Sequence, residues 1–308
     1  MSGLRVNKIG YALGGGGARG LAHIGVLKVL ETQGLKPECI AGTSVGALIG
    51  ALYASGLSAL ELERLALSLS KRQLTKFLDL TFPFSGLIQG KRVTSVIEHI
   101  LGEREFTDLS IPFACIATDI NTGKEVAIRK GSVSAAIRAS ISIPGVLAPA
   151  RIDKQWLVDG GIVNVVPVNV CRKMGANYIF GVNVIPDPAK VMAHLEFIRE
   201  PSLLFTTAGL RRKTDEKKPP RLIDVMVQTL LISEYRIAMD NCKEADVAIT
   251  PDLTNIGFWE FHKAAEAIAN GEAATWAAIR KTVFLSGKGK KIPYRHKVKN
   301  LQRVATRK

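Results

Sequence analysis

The chain has little of what builds a metal centre or a disulfide framework. Its four cysteines, Cys39, Cys115, Cys171 and Cys242, stand far apart with no Cys-x-x-Cys pair and no adjacent histidine. That spacing disfavours zinc binding and cross-linking and fits a reducing compartment. No apolar run reaches the roughly 20 residues of a membrane-spanning helix. The most apolar stretch, residues 39–54, is shorter and is broken by Gly42-Thr43-Ser44-Val45-Gly46. A glycine run at residues 14–17 interrupts any signal-peptide core, so export by that route is not expected. RNP, zinc-finger and helix-turn-helix signatures are absent, and no nucleic-acid partner is expected.

Acid is also scarce. Against 42 lysines and arginines there are 27 aspartates and glutamates, a net charge of +15, and residues 286–308 carry nine basic residues and no acid. Charge alone attracts any polyanion, nucleic acid or anionic lipid alike. With 47 % apolar residues the remainder can bury a large core. The expected organisation is one domain over residues 1–285, with a mobile excursion at 186–221 that contains Arg211, Arg212, Lys213, Lys217 and Lys218, and then a basic tail.

The apolar pattern predicts an α/β protein. Residues 8–13 read as a strand, the glycines as a turn, and residues 21–30 as a helix; residues 39–41, 42–46 and 47–54 repeat the unit. Successive β-turn-α units imply a mainly parallel sheet covered on both faces. Ser58 with Glu61 marks the start of a helix over 59–70, followed by a shorter amphipathic stretch near 74–78. Further helices are expected at 92–101, 132–139, 166–174, 221–240 and 259–285, the last interrupted at Gly271. Strands are expected at 112–118 and 125–129, joined as a hairpin at Asn121-Thr122-Gly123, and at 156–158, 178–185 and 247–249.

Three motifs carry chemistry. In Gly14-Gly15-Gly16-Gly17-Ala18-Arg19-Gly20, consecutive glycines let several amides face one point at a helix N-terminus, a place for a phosphate or a transient oxyanion. The segment also matches a dinucleotide fingerprint, but the next strand ends in Ala41-Gly42-Thr43 without the acid such a site needs, and no Gly-Lys-Ser/Thr follows. Gly42-Thr43-Ser44-Val45-Gly46 has the G-x-S-x-G form of a nucleophile elbow, although a small-residue turn with Ser44 as helix cap would share it.

A serine needs a base. His194, His262 and His296 lack a fixing turn context, and His23 precedes the serine in a helix where a structural hydrogen bond is the default. Asp159-Gly160-Gly161, directly after an apolar strand, supplies the alternative, though a plain turn would read the same. An unperturbed Asp, with pKa ~3.9, is a poor base; burial would raise it.

Taken together, GGGGARG, GTSVG and DGG resemble the patatin-like phospholipases, in particular compact bacterial members related to the catalytic domain of neuropathy target esterase. Residues 139–145 with Pro149 look like that family's segment before the aspartate, and the likeness covers residues 8–185. The resemblance implies a three-layer α/β/α fold and a Ser-Asp dyad that hydrolyses fatty acyl esters of lysophospholipid, phospholipid or neutral lipid through an acyl-enzyme. By position, Ser44 is the nucleophile, Asp159 the base, and the amides around Gly15, Gly16 and Gly17 the oxyanion hole. Arg19, Gly42, Gly46, Gly160 and Gly161 support them, and neither cofactor nor metal is implied.

An acyltransferase on the same dyad, or a lipid-binding regulator that keeps the fold, would share every motif. Phe82, Phe84, Leu87 and Ile88 suit an acyl groove or lid, or core. The tail and the 211–218 cluster suit an anionic membrane surface, and the expected location is the cytoplasm, peripheral at the inner face of the membrane.

Overall fold

The computed structural model describes residues 8–68, 91–191 and 222–285. Within them eight strands form one sheet: β1 (Ile9–Leu13), β2 (Cys39–Thr43), β3 (Phe113–Asp119), β4 (Glu125–Ile128), β5 (Ala150–Ile152), β6 (Gln155–Asp159), β7 (Tyr178–Val182) and β8 (Val247–Ile249). Hydrogen-bonded pairing links them along the path β5-β6-β3-β2-β1-β7-β8, with β4 paired to β3 off that path. The run from β3 through β8 is parallel, and β4, β5 and β6 pair antiparallel.

Helices cover both faces because both faces of the central strands are apolar. From β1, Ile9, Tyr11 and Leu13 enter one core with α1 (Ala22–Thr32), α2 (Val45–Ala54), α3 (Ala59–Ser68), α4 (Lys91–Leu101), α5 (Val133–Ser140) and α8 (Ala264–Leu285). Ala12 enters the opposite core with Cys39, Ala41, Ile116 and residues of α6 (Val168–Lys173) and α7 (Leu222–Lys243). The result is the expected three-layer α/β/α arrangement. The sequence reading omitted β5, a strand of only three residues that contains Arg151 and gives no alternation to read.

The β3 registers decide where the chemistry sits. Cys115 pairs with Gly42 of β2 and with Ile128 of β4, so β2 and β4 lie on opposite edges. Ala117 pairs with Val126 of β4 and with Asp159 of β6, which puts β6 on the β2 edge. The last β2 pair is Thr43 with Ile116, and the next position along β3, Ala117, takes Asp159. Strands β2 and β6 therefore run toward each other along one edge of β3 and meet end to end, Ser44 after one and Asp159 closing the other.

Gly271 does not interrupt its helix. α8 runs unbroken, and it crosses α1 at backbone contact: a Cβ on Gly271 would lie 2.1 Å from the Ala22 carbonyl oxygen, and one on Gly25 would lie 2.0 Å from that of Ile268. The glycines are there for close approach. Gly271→Ala should therefore lower the urea midpoint, by about 1–3 kcal/mol of overpacking, although alanine is the better helix former by ~1 kcal/mol; an unchanged or raised midpoint would mean the crossing relaxes freely.

The helix predicted over 59–70 is described to Ser68, with the Ser58–Glu61 cap in place: Ser58 N–H donates to Glu61 Oε2 at 2.8 Å and Glu61 N–H to Ser58 Oγ at 3.3 Å. The stretch at 74–78, the residues 82–88 proposed as groove or lid, most of the 186–221 excursion, His194, and the 286–308 tail with His296 lie outside the described residues. Among the described residues no helix is long and apolar enough to cross a membrane, and no cluster of His, Cys, Asp and Glu could hold a metal ion. All four cysteines are free and buried.

Candidate active site

Ser44 sits between the end of β2 and the start of α2 with φ 54° and ψ −124°, a left-handed φ that a side-chain-bearing residue adopts only under constraint. The constraint comes from three directions. Its amide donates to Ser140 Oγ at 2.8 Å, and that hydroxyl donates in turn to the Ile116 carbonyl at 2.5 Å. Its carbonyl accepts the Ala47 and Leu48 amides of α2. Gly46 lets the elbow press onto β1, since a Cβ there would lie 2.3 Å from the Leu13 carbonyl oxygen, and Gly42 gives α2 similar access on the other side.

Asp159 is held as firmly. Its amide donates to the Ser142 carbonyl at 3.0 Å, its carbonyl accepts Thr118 Oγ1 at 2.9 Å, and its Oδ1 accepts the Gly161 amide at 2.8 Å. A Cβ on Gly160 would collide with the Ile116 carbonyl, so the Asp-Gly-Gly turn closes tightly over β3. Ser140 and Ser142, two residues apart in the segment 139–145, thus anchor the two halves of the site, one the Ser44 amide and the other the Asp159 amide. Their sequence signal was the segment itself, whose role the residues alone did not show.

Asp159 is 3 % exposed. Burial raises its pKa from the ordinary 3.8 to about 6, while the Gly161 amide, which donates to Oδ1, and the neighbouring Ser44 hydroxyl pull the value down. At neutral pH it is ionised but far more basic than a surface aspartate.

The glycine-rich segment bends over the same spot. The Gly14 amide donates to the Val182 carbonyl at 3.0 Å and the Gly15 amide to that of Val165 at 3.2 Å. This removes Gly15 N–H from the expected anion-binding set, because a donor already given to a carbonyl is not free for an oxyanion. Gly16 and Gly17, at the mouth of the 3-10 turn Gly17–Leu21, keep their amides clear of such cross-fold pairing among the described residues. His23 is wholly buried and donates through Nε2 to the Gly14 carbonyl at 2.7 Å; burial drives its pKa down to about 4, so it stays neutral and structural. His262 is exposed in the turn Phe261–Lys263. Arg19 is buried and braces the loop by donating through Nε to the Ile256 carbonyl at 2.7 Å. Burial lowers its pKa to about 10, still a cation at neutral pH.

Among the described residues, Gly15, Gly16, Ser44, Asp159, Gly161 and Glu234 line one cavity of about 30 Å³, room for a water or two. Apolar side chains including Ile143, Val146, Leu230, Leu231, Phe258 and Trp259 complete its wall. Glu234 was not anticipated. Its signal is a single carboxylate on the face of α7 shared by Leu230, Leu231 and the fully buried Ala238, at spacings of three and four.

A hydroxyl held outward at a strained strand-to-helix turn, a buried carboxylate against it and a glycine loop beside them is the arrangement to set against known proteins. The family model for patatin-like phospholipase matches residues 11–172. The chain belongs to the patatin-like phospholipase family. An uncharacterized NTE family protein of Mycobacterium tuberculosis is 29 % identical, over 88 % of this chain and 91 % of that protein. Patatin-like phospholipase domain-containing protein 6 of Homo sapiens is 37 % identical over 58 % of this chain, which is 13 % of that much longer protein. The crystal structure of VipD from Legionella pneumophila matches with a TM-score of 0.40 at 12 % identity, over 93 % of this chain and 81 % of that one. Membership is consistent with lipid ester hydrolysis.

Proposed function

We propose that this patatin-like protein is a serine esterase that hydrolyses fatty acyl esters through Ser44 and Asp159. The observation that carries the reading is the end-to-end meeting of β2 and β6 on β3, which brings a strained serine and a buried, basic carboxylate to one cavity. Asp159 takes the proton of the Ser44 hydroxyl as Ser44 Oγ attacks the ester carbonyl carbon; the carbonyl π pair moves to oxygen, and the Gly16 and Gly17 amides with the helix start behind them stabilise that oxyanion. Collapse expels the alcohol, which takes the proton back from Asp159, and leaves an acyl-serine. Water, deprotonated by Asp159, then releases the fatty acid and restores the hydroxyl.

The apolar wall around the polar floor supports a hydrocarbon acyl group. A fluorophosphonate probe followed by peptide mapping tests the reading: covalent label on Ser44, together with free fatty acid released from lysophospholipid or phospholipid vesicles, is the expected result. A folded protein that binds such vesicles but neither labels nor releases acid would be a lipid-binding regulator, and the esterase reading would fall.

A further inference from the structure

Glu234 is the one buried carboxyl in the cavity that the mechanism above does not use. It projects from α7 and is 8 % exposed. A Cβ on Gly161 would lie 2.7 Å from its Oε1 and 3.2 Å from Asp159 Oδ1, so the two carboxyls flank the same point of the Asp-Gly-Gly turn. The Asp159 carboxylate accepts the Gly161 amide, and the Ser44 hydroxyl nearby also favours its anion. No hydrogen bond to the Glu234 carboxyl is found among the described residues; its compensation is the charge of Arg19 across the glycine turn.

We propose that Glu234 is a positioning residue of this site: it faces Asp159 as a neutral acid, leaving one negative charge beside Ser44, and its ionisation switches the reaction off. This rests on the Ser44–Asp159 reading and extends it. Two carboxylates in one buried, mostly apolar cavity do not both ionise readily, and the proton goes to the one with fewer donors. Burial first, then the Asp159 charge, raises the Glu234 pKa from 4.5 to about 8, with Arg19 pulling the other way. Once ionised, Glu234 puts a second anion in the cavity where the attacked carbonyl oxygen must become negative, which disfavours that charge.

The charged groups around it are few. Asp159 faces it from β6, Arg19 from the glycine turn, and Glu260 faces Arg19 from beyond. On α6, Arg172 pairs with Asp246 and Lys173 with Glu125. The alkaline behaviour of the site is therefore assigned to one group.

The test is the pH dependence of the fluorophosphonate labelling rate of Ser44 between pH 5 and 9.5, in the full chain. Wild type should rise with an apparent pKa near that of Asp159 and fall again on the alkaline side, to about a tenth of its plateau one unit above the pKa of Glu234. Glu234→Gln, which keeps the shape of the neutral acid, should lose the alkaline fall and keep the acid rise. Arg19→Gln, which removes the charge that favours Glu234 ionisation, should move the fall to higher pH. An alkaline limb superimposed on wild type in Glu234→Gln, or no such limb in wild type, overturns the role of Glu234 while leaving Ser44 and Asp159 standing. Failure of wild type to label at Ser44 at any pH overturns the underlying reading instead. A purely structural Glu234 would alter melting temperature in the variant without moving either limb.

Discussion

Ser44→Ala is expected to reduce turnover of a short-chain nitrophenyl ester by at least about 10³-fold, since losing the nucleophile removes the acyl-enzyme route and leaves only oxyanion and binding effects. The variant should fold. What anchors this residue is its amide on Ser140 Oγ and its carbonyl on α2, and neither uses the hydroxyl. Its left-handed φ of 54° remains, so the strain in the elbow remains as well. A melting temperature close to wild type, with activity gone, is the expected pair of results. Retained activity in a pure, folded Ser44→Ala preparation would remove this residue from the mechanism.

The second large effect is Asp159→Asn, and its two consequences have opposite signs. Activity should fall about 10²–10⁴-fold, the typical contribution of a positioned general base. Stability should rise at neutral pH. Because burial raises the pKa of Asp159 from 3.8 to about 6, the native state holds its proton more tightly than the unfolded chain. The contribution of this carboxyl to wild-type stability is thus highest below the unfolded value, falls as pH rises from about 4 to about 6, and stays lower above that, by ~3 kcal/mol for a shift of this size. Asparagine carries no such charge, and its side-chain oxygen can still accept the Gly161 amide. Urea unfolding of the pair at pH 7 and pH 4 checks this: the variant should be the more stable at pH 7 and lose that advantage at pH 4. A variant destabilised at pH 7 would mean the ionised carboxylate is better compensated than its burial implies.

The site was readable because each strand end that builds it is announced by glycine. The strands around Tyr11 and Ile40 are apolar and buried throughout, the strand around Leu157 is buried at its C-terminal end, and the turns after all three are Gly-rich, so strand ends and candidate groups coincide in the sequence. What the residues could not show was direction. Nothing in Gln155–Asp159 reveals that β6 runs against β3, nor that it shares an edge with β2; pairing between distant segments is not written in local periodicity. The same holds for donors already spoken for: Gly15 looks like its neighbours until the Val165 carbonyl is seen against it. Gly271 misled because glycine inside a helical pattern reads as a break unless a second backbone lies against it, here that of Ala22. Glu234 was legible in principle, as a lone acid among Leu230, Leu231 and Ala238, but it lies outside the motif-bearing part of the chain.

The head-on approach of β2 and β6 also has a temporal side. During synthesis the glycine turn and the elbow emerge well before Asp159, and the carboxylate can reach Ser44 only after β6 has docked on β3 beyond the end of β2. Contacts so far apart in sequence form late. A nascent or truncated chain that stops short of β6 carries Ser44 without Asp159, so on the reading proposed above the paired site does not exist until β6 has docked.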